Sequence, residues 1–213
     1  MTHVNIPKLY KQYFIDKQDE RNMLFEKLAN HYNPLKGLYP GSFTHITPSL
    51  YISDMTYVDS DSRIARFFHD PEVRAYLEHH KTYPDAMKLC GIQADFTERL
   101  PLPENSYDML FSFYAGLISQ HCKRYIKEGG ILVCNNSHGD SSICFTDSDY
   151  RLVGVVNRKG DTFTISQKDL ETYFQKRDGT PIDREKVERR LTGENFTRKA
   201  FAYIFRYGRS PEA

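Results

Sequence analysis

The stretch Asn135-Asn136-Ser137-His138-Gly139-Asp140 holds the densest set of chemically useful side chains in the chain. Six non-apolar residues in succession follow the apolar run Ile131 to Cys134. That order describes a ligand-facing loop at the end of a buried strand. An imidazole changes charge near neutral pH, so His138 is the candidate general base. Asn136 and, from the end of the preceding strand, Tyr114 complete the candidate catalytic set. A structural reading competes: Asn and Ser side chains around a glycine also satisfy local backbone groups. A Ser137–His138–Asp140 triad is discounted, because neighbours in sequence do not easily reach that geometry. His45 is a weaker second candidate, and His79-His80 reads as a solvated helix end.

A second group of candidates comes from strand ends. In an open α/β sheet, ligands bind beyond the carboxyl ends of the strands. That rule selects Tyr39, Gly41, Ser42 and His45 after the first strand, and Asp59 with Asp61 after the second. It selects Asp95 and Phe96 after the third strand and Ser112 and Tyr114 after the fourth. A glycine lets backbone approach a ligand closely, because it has no Cβ. An acid ending the second strand suits the two hydroxyls of a ribose. Asp95 suits an exocyclic amino group, with Phe96 covering the ring. As alternatives, Gly41 is a turn glycine and the three acids are helix caps or loop residues, common places for Asp.

These residues need a scaffold, and the apolar spacing supplies one. Residues 7–32 read as helix, with Leu24, Leu28 and Tyr32 on one face and a break over Asp16–Arg21. Strands are expected over 34–39, 55–58, 88–94, 107–113 and 131–135. Asp70-Pro71 gives an N-cap followed by proline at the first helical position. A helix carrying Ile118, Cys122 and Tyr125 is expected to stop at Gly129-Gly130. Toward the C-terminus, 150–157 and 162–166 read as a hairpin turning at Arg158–Asp161. Ser166 and Asp183 are expected to cap short helices, and 200–207 is the last strand. Alternation first and a hairpin later predict an α/β fold: a doubly wound, mostly parallel sheet with antiparallel C-terminal strands.

Composition limits the choices. The 213 residues suit one domain, 1–213, with a helical segment 1–33, a nucleoside-binding half 34–136 and a C-terminal half 137–213. No apolar run approaches a membrane span, and the N-terminus lacks the pattern of a signal peptide. With 29 basic and 28 acidic residues, nucleic acid is not favoured as a partner. Four cysteines without Cys-x-x-Cys spacing point to reduced thiols in a cytoplasmic setting rather than zinc or disulfides. Tyr (15) and Phe (14) are abundant, which suits core packing or ring stacking.

Asp95 followed by Leu100-Pro101-Leu102-Pro103-Glu104-Asn105-Ser106-Tyr107-Asp108 resembles the class I S-adenosylmethionine-dependent methyltransferases between their adenine-contacting acid and fourth strand. Tyr57-Val58-Asp59 resembles their second strand, and Gly129-Gly130-Ile131-Leu132 the opening of their fifth. The resemblance covers roughly residues 35–136. It implies S-adenosylmethionine as cofactor, with the methionine end at Tyr39, Gly41 and Ser42. The ribose falls to Asp59 and the adenine to Asp95 and Phe96. It implies methyl transfer to a small molecule or to a polar oxygen or nitrogen. The chain departs from the family in its first loop, Leu38-Tyr39-Pro40-Gly41-Ser42-Phe43, which has one glycine where several are usual. The first crossover helix is therefore expected to be short or lost. After strand four the chain reads Ser112-Phe113-Tyr114-Ala115-Gly116, without the Pro-Pro motif of many amino-group methylating members. Two other functions stay open: a non-catalytic binding or assembly protein, and a different enzyme on the same scaffold.

Overall fold

Residues Lys36–Pro40 and Asp54–Asp59 carry buried side chains at successive positions, the pattern of parallel strands covered on both faces. They form β1 and β2 of a computed structural model that describes residues 4–208. The chain divides after Leu100 into two compact units.

In the N-terminal unit, β2 pairs in parallel with β1 on one side and with β3 (Lys88–Gln93) on the other. A helical turn, α1 (Lys8–Tyr10), widens into π geometry over Lys11–Ile15, and α2 spans Asn22–Tyr32. The expected break lies between them, with Gln18 and Arg21 in left-handed backbone. Between β1 and β2 a single 3-10 turn, Thr47–Leu50, stands where a crossover helix is usual. The β2–β3 crossover is α3 (Arg63–His69) and α4 (Pro71–His80). Asp70 caps α4 as expected, accepting the Glu72 N–H at 2.9 Å. Phe68 of α3 stacks on Tyr57 of β2, ring centroids 4.8 Å apart, and lies over Gly91 of β3.

In the C-terminal unit, β4 (Tyr107–Ser112) and β5 (Ile126–Cys134) are parallel. Between them run α5 (Ile118–Cys122) and a 3-10 turn, Lys123–Tyr125. Gly129-Gly130 does not end that helix; both glycines lie inside β5, where the pairing shifts register and Gly129 has φ +78°. The chain has already turned extended at Ile126, and the glycine pair absorbs a bulge. A helix absent from the sequence expectation, α6 (Asp140–Thr146), follows the polar loop directly. The last strand, β8 (Ala202–Tyr207), lies antiparallel between β5 and β6 (Tyr150–Lys159). The hairpin partner β7 (Thr162–Ser166) takes the outer side of β6. Gly160 makes the hairpin turn with φ +59°. Ser166 does not cap the following 3-10 turn, Leu170–Phe174; its Oγ accepts the Lys168 N–H, and Asp169 precedes the turn in left-handed backbone. Asp183 does cap α7 (Arg184–Arg190), accepting the Lys186 N–H at 2.9 Å. Parallel strands first and an antiparallel finish are the architecture expected from the sequence. Among the described residues, no helix is long and apolar enough to cross a membrane.

A Cβ at Gly91 would sit 2.3 Å from the Phe68 ring. Gly91→Ala should therefore displace Phe68 and cost about 1–3 kcal/mol of stability, the usual penalty for overpacking a filled core. Urea unfolding would measure it. A wild-type midpoint in the variant would mean that α3 is not seated through this contact.

Candidate functional site

Parallel pairing brings the carboxyl ends of β1, β2 and β3 to one edge of the N-terminal unit. Gly41 follows β1 with φ +65°, and its N–H donates to Val58 O at 2.8 Å. Asp59 ends β2 beside it. Its Oδ2 accepts the Phe43 N–H at 2.8 Å, and its Oδ1 accepts the Asp61 N–H at 3.0 Å. A carboxylate oxygen accepts two hydrogen bonds, so each oxygen keeps one acceptor site. Ser42 is buried, and its hydroxyl donates to Phe43 O. Thr44 is fully buried and its Oγ1 has no protein partner. Asp95, beyond β3, is exposed and accepts both Thr97 N–H and Thr97 Oγ1–H, a local turn; Phe96 beside it is half-buried. The structure thus gathers Gly41, Ser42 and Asp59 tightly and leaves Asp95 and Phe96 on the neighbouring strand end.

Phe43 was not singled out from the sequence. It holds left-handed backbone, φ +47°, which costs an L-residue roughly 1–2 kcal/mol. Its ring meets Tyr13 edge-on at 4.9 Å, and the Arg63 guanidinium lies 4.6 Å from its centroid. Arg63 also pairs with Asp61 at 2.7 Å and holds that carboxyl down at about 2. Asp61, the other acid after β2, is therefore engaged.

His45 is not available for catalysis. It is 1% exposed, stacked on Phe14 at 4.2 Å. Its Nε2 lies 3.0 Å from Glu20 O, a carbonyl that only accepts, so Nε2 carries the proton. Nδ1 then accepts from the Tyr39 hydroxyl at 3.1 Å. Burial holds this ring neutral, far below its ordinary pKa. Tyr39 is itself 2% exposed, so its hydroxyl serves the histidine.

In the C-terminal unit, the ends of β4 and β5 gather Ser112, Tyr114, Asn136 and His138. Tyr114 is exposed and, like Phe43, holds left-handed backbone, φ +60°. Strain of that kind concentrates at functional loops. His138 is half-buried, and its Nδ1 lies 3.0 Å from Ser137 Oγ. Ser137 donates onward to Asn135 Oδ1 at 2.9 Å. With that proton spent, Nδ1–H donates to Ser137 and Nε2 is left as the basic atom. Asn136 is tied down: Nδ2 donates to Glu194 O at 3.0 Å, and Oδ1 accepts from Ser142 at 2.8 Å. Gly193 packs so closely on Asn136 that an added Cβ would lie 2.1 Å from its carbonyl oxygen. Asn135 Nδ2 and Ser141 Oγ are buried without a protein partner.

Asp140, not committed to a role from the sequence, is the centre of this loop. Its carboxylate accepts from Ser112 Oγ (2.5 Å), Ser119 Oγ (2.5 Å) and Ser119 N–H (3.1 Å). Ser112, expected at a cofactor, is 2% exposed and its hydroxyl serves this buried acid. Desolvation raises Asp140 from 3.8 to about 6, against those three donors. Only a long-range contact could have revealed the arrangement, since Ser112, Ser119 and Asp140 share no local motif. Among the described residues, no group of three or more His, Cys, Asp or Glu side chains could hold a metal ion. All four cysteines are free thiols and three are buried.

The raised acid makes a pH prediction. Asp140 binds its proton more tightly folded than unfolded. It therefore costs nothing below pH 3.8 and its full penalty above about pH 6. Over that interval the folded protein should lose on the order of 3 kcal/mol through this group. Asp140→Asn lacks the titration. Urea unfolding at several pH values should show the free-energy difference moving in favour of Asp140→Asn as pH rises. A difference constant with pH would contradict the burial of an ionising carboxyl.

No protein-family model matches the sequence, and no curated protein sequence does. Solved structures are similar in fold. A Methanococcus maripaludis protein assigned as an S-adenosyl-L-methionine-dependent methyltransferase is similar over 96% of this chain and 91% of its own, with 13% identity and TM-score 0.50. The [4+2]-cyclase SpnF is similar over 54% of this chain and 44% of its own, with 19% identity and TM-score 0.40. A Galdieria sulphuraria protein assigned as a sarcosine dimethylglycine methyltransferase is similar over 63% of this chain and 53% of its own, with 18% identity and TM-score 0.43. The chain spans about half the length of these last two. At such identities the likeness speaks to fold, and one fold hosts many functions. In fold the chain is similar to the Methanococcus maripaludis protein, with a Rossmann-like, mostly parallel arrangement of strands that finishes antiparallel.

Proposed function

We propose that the protein is an S-adenosylmethionine-dependent methyltransferase acting on an oxygen or nitrogen of a small molecule. One observation carries the reading: the Gly41 turn and the Asp59 carboxylate are locked side by side at the ends of adjacent parallel strands. The residues fit the nucleoside end of such a cofactor. Asp59 keeps one acceptor site on each oxygen, which matches two ribose hydroxyls. Thr44 Oγ1 is an unspent buried hydroxyl in the same loop. Gly41 and Ser42 are assigned to the methionine end and Asp95 and Phe96 to the adenine, while Tyr39 supports the first loop through His45 and Ser112 supports the β4 end.

Bound, the cofactor supplies an electrophilic methyl group. Methyl transfer asks little of a protein beyond in-line positioning and a base. His138 Nε2 is assigned the acceptor's proton, with Ser137 and Asn135 fixing the ring through Nδ1. Asn136 and Tyr114 are assigned to orient the acceptor. The free thiols suit a reducing, cytoplasmic setting.

A second reading has its own observation. Phe43, covered by Tyr13 and Arg63, holds left-handed backbone in a first loop that has one glycine where the family has several, which favours a scaffold that binds a different ligand or none.

Isothermal titration calorimetry with S-adenosylmethionine and S-adenosylhomocysteine separates the two. Under the first reading either ligand binds, and Asp59→Ala weakens binding by about 1–3 kcal/mol, the loss of hydrogen bonds to a charged acceptor. No binding of either ligand to folded wild-type protein would give the second reading the lead. Once a substrate is found, His138→Gln should lower turnover while cofactor affinity stays unchanged. An equal loss in both would make the β5–α6 loop structural.

A further inference from the structure

The segment between β7 and β8 builds a concave surface on the C-terminal unit that none of the assignments above uses. A cleft of 580 Å³ opens among Lys176, Arg177, Lys186 and Lys199, with Asp178 and Glu194 as its acids. Phe196, 5% exposed, gives it an apolar floor. A second cleft of 180 Å³ shares Glu194, Phe196 and Lys199 and continues to Asn136 at the end of β5.

The charges in the larger cleft are unevenly satisfied. Glu194 answers two lysines, Lys176 at 3.4 Å and Lys186 at 4.0 Å, and is nearly buried between them. Asp178 accepts from Thr180 N–H and Oγ1–H and forms no ion pair among the described residues. Lys199 donates to the neutral amide oxygen of Asn195 at 2.9 Å. Among the described residues, Arg177 and Lys199 have no acidic partner. Four cations against two acids, over a low-dielectric aromatic floor, make a surface complementary to an anion. The scaffold beneath is firm. Val187 of α7 packs with Leu117 and Ile143 and approaches Gly139 so closely that a Cβ there would lie 2.3 Å away. Arg184 donates to Gln120 Oε1 at 2.8 Å.

We propose that this cleft binds the anionic group, phosphate or carboxylate, of a small acceptor molecule whose reacting end lies toward Asn136. The identification of the ligand as an acceptor rests on the methyltransferase reading; the anion site rests on the cleft alone. Lys176 and Lys186 are held by Glu194 and shape the wall, while Arg177 and Lys199 supply the unspent positive charge.

The test uses the full chain and two probes, inorganic pyrophosphate for the phosphate source and citrate for the carboxylate source. Titrations are followed by calorimetry and by backbone amide NMR shifts. At least one probe should bind with Kd below about 1 mM, with shifts at Arg177, Phe196 and Lys199 and weakening at higher salt. The double variant Arg177→Ala/Lys199→Ala should weaken it at least about tenfold, as expected for lost charge-assisted hydrogen bonds. The charge-matched control Arg189→Ala/Arg190→Ala, on the exposed side of α7, should leave it unchanged. Preference between probes identifies the source of the anion. Absence of binding by both, or equal weakening in the control, overturns the proposal. S-adenosylmethionine affinity, measured on the same samples, reports separately: anion binding without cofactor binding keeps the site and removes the acceptor assignment.

Discussion

Asp140 is a carboxylate fully removed from water, and no cation among the described residues pairs with it. Burying such a group is costly unless hydrogen bonds replace its hydration. The donors that do so come from two other elements, Ser112 at the end of β4 and Ser119 in α5. One side chain therefore fixes where β4 ends, where α5 begins and where α6 starts. Gly139, immediately before it, needs φ +90° and close contact with Val187, which seats α7 against the same loop. The polar loop of this unit is held in place because its centre is satisfied by long-range partners.

The N-terminal unit meets the same requirement with different chemistry. Its first loop has a single glycine, Gly41, and takes a fixed shape from Asp59 holding the Phe43 N–H. His45, neutral and stacked on Phe14, ties the loop to the N-terminal helical segment through Glu20 O. The result is a loop whose shape is set by its own hydrogen bonds. Preorganisation of that kind lowers the entropic cost of binding. It also commits part of the Asp59 carboxylate to the protein itself, which is why cofactor affinity decides between the two functional readings.

The extension between β7 and β8 gives the polar loop a second neighbour. Asn136 joins it through Glu194 O and Ser142, so this candidate residue is also a tether. Its basic cleft starts where that tether ends. Under the proposed reading, a histidine held through Nδ1 and a cationic cleft reaching Asn136 suit a polar, charged acceptor rather than an apolar one.

The sequence by itself determined the order of elements apart from α6, because apolar spacing and cap residues are local. The break at Asp16–Arg21, the Asp70-Pro71 restart, the cap at Asp183 and the β6–β7 hairpin all follow from residues a few positions apart. It also determined which strand ends carry acids and the short first crossover, through Pro48 and the single Gly41. Gly129-Gly130 misled, since a glycine pair suits a helix stop and a strand bulge equally, and only pairing with β4 chose the bulge. The assignment of side chains to partners was decided by tertiary structure. Ser112 reads as a ligand contact until Asp140, 28 residues away, takes its hydroxyl. His45 reads as a base until burial removes its charge. Hydrogen bonds across such distances leave no spacing in the sequence, because the fold, and not the chain, sets which groups meet.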